Sequence, residues 1–431
     1  MYRTSNAEFT GPSIRPQVSG PIIDVDQHLN ETFGTWDGVD LTETGGLKLD
    51  LREDEFGRRF LYLGEERIGP GRATVPDEYE RIARLIAADE LAYEREKEDR
   101  ALNPRSFDET CEPTASDPAA RIPLLDQMAT DVAIMFPSYA FYWTRLVEPR
   151  GHRVVQAHMA AWNDWVAGQC APYHERLLAA GQIGLYDVDW TVAEIHRCAA
   201  LGMKGVSLAM KPFRGVPWSH PSNEPVWKAL EETGLAVFMH IAVMPHTVDP
   251  AWERVDAYTD SHSGPDLSSM INRHLPVEAA LSDLIFGGVF ERHPGLKVAT
   301  MECGGLWVQS FLERIDWVMD VVGVRNHYLR RQLSMPPSDY FRRAVRVGAF
   351  PFEGLPGYLF EGGEDLFLYA SDFPHYEGTA YGTGRFEEVF DALGANPSIR
   401  QKFYVDNSAE FFGISPVSGQ EGAPADVVAS A

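Results

Sequence analysis

Asp26, His28, His240 and Asp372 close three apolar segments of the chain, and their side chains are the oxygen and nitrogen donors that a divalent metal ion takes. Asp26-x-His28 puts two donors on alternate residues, which share a face in a regular strand. His240 follows the run LAVFM, and Asp372 follows LFLYAS. A lone histidine in such a place is more often a satisfied core residue, and an aspartate there needs a partner for its charge. Four donors converging from rigid strand ends make a metal the better account. Glu302, in MECGG, ends a further apolar run; it either moves a proton, if burial raises its pKa, or joins the metal. His375 lies three residues past Asp372 and either orients substrate or supports the ligands, with a plain surface histidine an equal reading. Arg314 and Glu31 are candidate substrate contacts, although a helix-surface charge and a turn cap are simpler roles for them. Trp36 and Phe373 suit a flat unsaturated substrate, although aromatic residues more often serve packing.

The elements that must position these residues alternate along the chain. PIIDVDQH (21–28), DVAIMFPS (131–138), MKGVSLAM (203–210), LAVFMHIAV (235–243), LKVATMECGG (296–305) and DLFLYASDFPH (365–375) read as strands. WTVAEIHRCAALG and NEPVWKALEETG read as helices stopped by Gly202 and Gly234. The stretch from His158 to Ala180 is amphipathic. Strand–helix alternation predicts parallel βα units. Polar residues at the C-terminal ends of different strands predict an α/β fold of the (β/α)8 TIM-barrel type, in which all strand ends meet at one mouth. A doubly wound sheet would need a Gly-rich phosphate turn after the first strand, and QHLNETFG is not one.

Residues 1–20 read as a flexible arm, 21–414 as the barrel and 415–431 as a disordered tail. Residues 40–110 are too charged for barrel core and read as an insertion after the first strand, a lid or a dimer contact. Within it LREDEFGRRFLYLGEERIG alternates like a hairpin, and PDEYERIARLIAADELAYEREKEDRAL looks helical. The chain has 431 residues, 44% hydrophobic and 23% charged, which suits one long barrel domain. Its formal charge of −25 speaks against nucleic acid or an anionic membrane as partner. No apolar run is long enough to cross a bilayer, and the first twenty residues lack a secretory apolar region, so a cytoplasmic protein is expected. Cys111, Cys170, Cys198 and Cys303 have no C-x-x-C spacing and read as reduced, structural thiols.

Taken together, IIDVDQHLNE, the strand ending in His240, FERHPGLKVATMECGGLWVQSFLERID, and LYASDFPHYEG followed by DNSAEFFG resemble the amidohydrolase-related family. The resemblance is to the branch that includes aminocarboxymuconate semialdehyde decarboxylase and the γ-resorcylate and 5-carboxyvanillate decarboxylases, and it runs over roughly residues 20–415. It implies a (β/α)8 barrel, often a homodimer, with Asp26, His28, His240 and Asp372 as ligands of one divalent ion, zinc or manganese. Two departures matter. Asp26-x-His28 stands where these decarboxylases have H-x-H or E-x-H; it keeps a hard oxygen ligand and shifts the preference towards Mn²⁺ or Fe²⁺. Glu302 stands where they carry a catalytic histidine, so the proton donor becomes Asp372 or Glu302. The expected activity is non-oxidative decarboxylation of a small aromatic or unsaturated carboxylic acid. Hydrolysis of an ester, lactone or amide at the same site is the alternative, and a non-catalytic ligand-binding barrel the weakest reading.

Overall fold

The computed structural model describes residues 14–53, 59–70, 113–138, 140–241, 271–325, 333–350, 357–375 and 378–414. Most of the N-terminal arm, the helical part of the insertion with Cys111, and the tail from residue 415 lie outside the described residues.

Among the described residues the first strand, β1 (Ile23–Leu29), is followed by a small antiparallel sheet of β2 (Leu49–Glu53), β3 (Arg59–Leu63) and β4 (Glu66–Pro70). Then come β5 (Val132–Pro137), β6 (Leu177–Ile183), β7 (Gly205–Leu208), β8 (Ala236–His240), β9 (Val298–Met301), β10 (Val345–Ala349) and β11 (Phe367–Tyr369). β1 and β5 to β11 form one sheet in chain order, paired in parallel with helices between the strands. Asp372 N donates to Asp26 O at 2.9 Å and His28 N to Phe373 O at 2.8 Å, which ties the last strand to the first and closes a (β/α)8 barrel.

Each barrel strand is buried on both faces, which is why these segments are so apolar. Ile134, Phe136, Ala180, Ala236, Phe238 and Leu368 fill the interior, while their neighbours Ala133, Met135, Val237 and Met239 pack outward against the helices. Gly205 makes room inside: a Cβ there would lie 2.4 Å from the Phe238 ring and 2.5 Å from Ala236 O. Gly205→Ala is therefore expected to cost about 1–3 kcal/mol by overpacking, read as a lower Tm; an unchanged Tm would show that Phe238 moves aside freely.

One irregularity sets up the site. Asp24 lies opposite Ala133 in β5, but Gln27 lies opposite Met135, so β1 carries one extra residue. A bulge shifts the pleat by one. Ile23 and Val25 face the interior below it, and Asp26 and His28 above it. Asp24 is left on the outer side, where it accepts from Gln27 Nε2 (2.8 Å), Ser371 N (3.0 Å) and Asp26 N (3.2 Å). It thereby pins the bulge to the end of β11; burial raises its pKa to about 6 against these hydrogen bonds.

Two sequence expectations need correction. The amphipathic stretch from His158 to Ala180 is not one element: the helix His152–Cys170 ends, Pro172 sits in a 3₁₀ turn, and β6 starts at Leu177. β10 is not among the strands expected from sequence, because it follows the helix Pro337–Ala344 directly, with no turn signal between.

The small sheet buries Leu49, Leu51, Leu61 and Leu63 in the main core. It is stapled there by His158, whose Nε2 accepts from Leu49 N at 2.8 Å while Nδ1 lies 2.6 Å from Val154 O. A ring that accepts at Nε2 must be neutral, and burial lowers its pKa to about 4. The unfolded chain, at about 6.5, binds the proton more readily, so this contribution is full above pH 6.5 and is lost as pH falls towards 4. At pH 5 the loss is about 2 kcal/mol. On going from pH 7 to pH 5 the Tm of wild type is expected to fall further than that of His158→Gln; equal falls would remove His158 as the source.

Candidate metal centre

Three carboxylates and three histidines meet at the mouth of the barrel, each brought by a strand end. β1 supplies Asp26 and His28, β8 supplies His240, the turn after β9 supplies Glu302, and the turn after β11 supplies Asp372 and His375. All but His375 are almost wholly buried. Glu302 and Asp372 have left-handed backbone, with φ of 53° and 57°. Ending a strand this way re-aims the carboxylate, and non-glycine residues hold that conformation chiefly where the surroundings enforce it.

His28 Nε2 sits between three carboxylates: Asp372 Oδ1 at 3.2 Å, Glu302 Oε1 at 3.3 Å and Asp26 Oδ1 at 3.4 Å. His240 Nε2 lies 3.3 Å from the same Asp26 oxygen, and its Nδ1 3.8 Å from Glu302 Oε2. Each ring uses Nδ1 elsewhere: His28 towards Pro137 O (2.6 Å) and His240 towards Ile241 O (2.7 Å). A backbone carbonyl thus fixes the tautomer and leaves Nε2 free as a ligand. One ligand atom from each of Asp26, His28, His240 and Glu302 lies within 4.8 Å of the others; His28, Glu302, Asp372 and His375 form a second such group. Of the four predicted ligands, Asp372 therefore joins through His28, and Glu302 stands as close in.

The donors fit a cation. Asp26 Oδ2, His28 Nε2 and both Asp372 oxygens are buried without a hydrogen-bond partner of good geometry among the described residues. Burial opposes charge throughout, yet Asp26 is held below the usual carboxylate range by His240 and His28. Glu302 is held well below it by His240 and His375. Asp372 goes the other way, pushed well up by burial and by the charge of Glu302. His28 is pushed well above its ordinary range, against burial, by the three carboxylates Asp26, Asp372 and Glu302 that crowd its Nε2. Oxygen and imidazole donors gathered this closely are the set that a divalent ion takes.

His375 Nδ1 lies 2.7 Å from Glu302 Oε1 and 2.8 Å from Asp372 Oδ1, so it bridges the two carboxylates rather than facing solvent. Burial and His28 disfavour its proton, but Asp372 and Glu302 raise its pKa to about 9. Phe136 and Phe141 wall the centre, each with its ring centre 5.0 Å from that of His240.

The four substrate-contact candidates are engaged in other contacts. Glu31 is buried and accepts from Ala140 N at 3.0 Å, at the start of the helix Ala140–Val147. Trp36 is buried in the core. Phe373 packs beneath the Arg121 guanidinium at 4.7 Å, among residues of the outer core. Arg314 pairs with Glu278 at 2.7 Å, but it does line a cavity that reaches Glu302. Sequence reasoning missed Arg273, which is buried in that cavity and donates from Nη1 to Glu302 O at 3.2 Å. Nothing in INRHLP marks it, because its approach to Glu302 is purely tertiary.

Fold and centre together define a (β/α)8 barrel with a carboxylate–histidine cluster at its strand ends. The chain belongs to the amidohydrolase family, whose model matches residues 23–414. Among curated proteins it is similar to 2-amino-3-carboxymuconate-6-semialdehyde decarboxylase of Dictyostelium discoideum, with 26% identity over 47% of this chain and 50% of that protein. It is also similar to γ-resorcylate decarboxylase of a Rhizobium species, with 25% identity over 49% of this chain and 64% of that one. The chain thus spans between half and two thirds of these relatives. Among solved structures, an amidohydrolase from Mycobacterium avium subsp. paratuberculosis K-10 superposes with a TM-score of 0.68 at 21% identity, covering 92% of this chain and 100% of that one. The 5-carboxyvanillate decarboxylase of Novosphingobium aromaticivorans, solved with bound manganese, gives 0.58 at 19% identity, covering 92% and 96%. At this identity the likeness shows the fold. No helix among the described residues is long and apolar enough to cross a membrane.

Proposed function

We propose that this chain is a metal-dependent non-oxidative decarboxylase acting on a small aromatic or unsaturated carboxylic acid. The observation that carries the reading is the buried cluster at the strand ends, in which one ligand atom from each of Asp26, His28, His240 and Glu302 lies within 4.8 Å of the others and Asp372 stands against His28. The similar proteins named as decarboxylases support the choice of reaction. Asp26, His28, His240 and Asp372 would hold one divalent ion, zinc or manganese, and the hard oxygen ligand Asp26 shifts the preference towards manganese. The ion supplies positive charge that grips the substrate carboxylate and steadies the electron-rich carbon framework as CO₂ leaves.

The chain's own residues do the rest. His375 Nδ1 stands within 2.8 Å of both Glu302 and Asp372 at the mouth, a group able to deliver a proton to the substrate carbon that bears the carboxylate. That carbon gains a C–H bond, the bond to the carboxyl carbon breaks, and its electron pair ends on the ring or chain. Phe136 and Phe141 keep water from His240 and give a flat substrate an apolar wall. Arg314, at the rim, is a candidate contact for substrate. A homodimer in the cytoplasm, with the charged insertion as lid or dimer contact, belongs to the same reading.

The test is a screen of aromatic and unsaturated acids with the manganese-loaded enzyme, following CO₂ release. CO₂ with the matching des-carboxy product supports decarboxylation. A new acid formed from an ester, lactone or amide, without CO₂, replaces it with hydrolysis.

A further inference from the structure

Beside His240 a cavity opens among the C-terminal ends of β6, β7 and β8, and two of its lining residues are polar for no structural reason. Gln182 and Ser207 are 2% and 5% exposed. They are partners across β6 and β7, so both side chains leave the sheet on its inner face. Among the described residues neither Gln182 Nε2 nor Ser207 Oγ has a hydrogen-bond partner. Burying such groups unmet is costly, and two side by side on the inner face next to the metal centre point to a missing partner. The walls are apolar, with Phe141, Met159 and Ile183.

The cavity's charge narrows what that partner is. Among the described lining residues the cation, Lys211, is already ion-paired with Glu148. A second carboxylate entering here would be desolvated without a free cation to meet it. An uncharged oxygen suits an amide N–H and a hydroxyl well.

We propose that this cavity is a substrate subsite for an uncharged oxygen substituent, a hydroxyl, carbonyl or ether, carried by the acid away from its scissile carboxylate. Gln182 donates to that oxygen and Ser207 donates or accepts, while His240 stands between the subsite and the metal centre. The inference rests on the decarboxylase reading for the acid and goes beyond it in naming the substituent.

The experiment is calorimetric binding of benzoate and its ortho, meta and para monohydroxy derivatives to the manganese-loaded enzyme. One isomer is expected to bind wild type about tenfold more tightly than benzoate. Gln182→Met with Ser207→Ala should bring that isomer to within about twofold of benzoate, with an equal or higher Tm, because unmatched polar groups have been removed. A preference that survives the double substitution means that ordered water fills the cavity, and overturns the subsite. A lower Tm overturns it too, since it marks the pair as structural. Equal binding of benzoate and all its isomers by wild type removes the subsite alone. Failure of benzoate itself to bind, with manganese fully loaded, fells the aromatic-acid reading and the substituent with it.

Discussion

Replacing His240 with alanine is expected to take the bound metal from near one per chain to near none, and turnover with it. His240 is the donor from the wall opposite β1 and β11: its Nε2 faces the Asp26 oxygen that also faces His28. Without it the remaining donors come only from β1 and from the turns after β9 and β11. An ion that stabilises the transition state by several kcal/mol takes about three decades of rate with it when lost. The measurement is elemental mass spectrometry on protein purified without a chelating tag, beside the CO₂ assay. The fold should survive, because among the described residues the imidazole's hydrogen bonds go only to the neighbouring Ile241 carbonyl and to Asp26 within the centre itself. Full metal content in a folded His240→Ala protein would sink the ligand assignment, and the decarboxylase reading would lose its support.

The parts of the centre legible in sequence were those that local patterning exposes. In IIDVDQH the apolar residues Ile23 and Val25 fall on one parity and the donors Asp26 and His28 on the other. The alternate spacing predicted a shared face correctly. That break in parity is the trace of the bulge, which shows only when β1 is set against β5. His240 and Asp372 stood out as polar residues closing apolar runs, and Glu302 for the same reason. Their mutual distances were not legible, nor was the position of His375 between Glu302 and Asp372, since these depend on left-handed turns at Glu302 and Asp372. Gln182 and Ser207 were hidden because a polar residue in a short strand carries meaning only once its facing is known. Phe373 and Glu31 misled in the other direction: closeness to a ligand in sequence put them on the sheet's outer side or under a helix start.

Glu302→Gln is expected to keep the metal and lose the chemistry. The substitution preserves shape but removes the charge and the proton-accepting oxygen next to His375, which lies 2.7 Å away. Asp26, His28, His240 and Asp372 remain to hold an ion, so metal content should stay near one per chain. Removal of a positioned proton-transfer group costs on the order of 10²–10⁴ in rate, so kcat should fall by that factor with little change in KM. The contrary outcome is informative because Glu302 also lies within reach of His28 and His240. If metal is lost in step with activity, Glu302 is a ligand and the proton passes through Asp372 and His375 alone. His375→Gln then separates the roles: it is expected to leave metal bound in either case, and to slow turnover only if the imidazole carries the proton between the two carboxylates. A His375→Gln protein with full metal and undiminished kcat would confine proton delivery to the carboxylates.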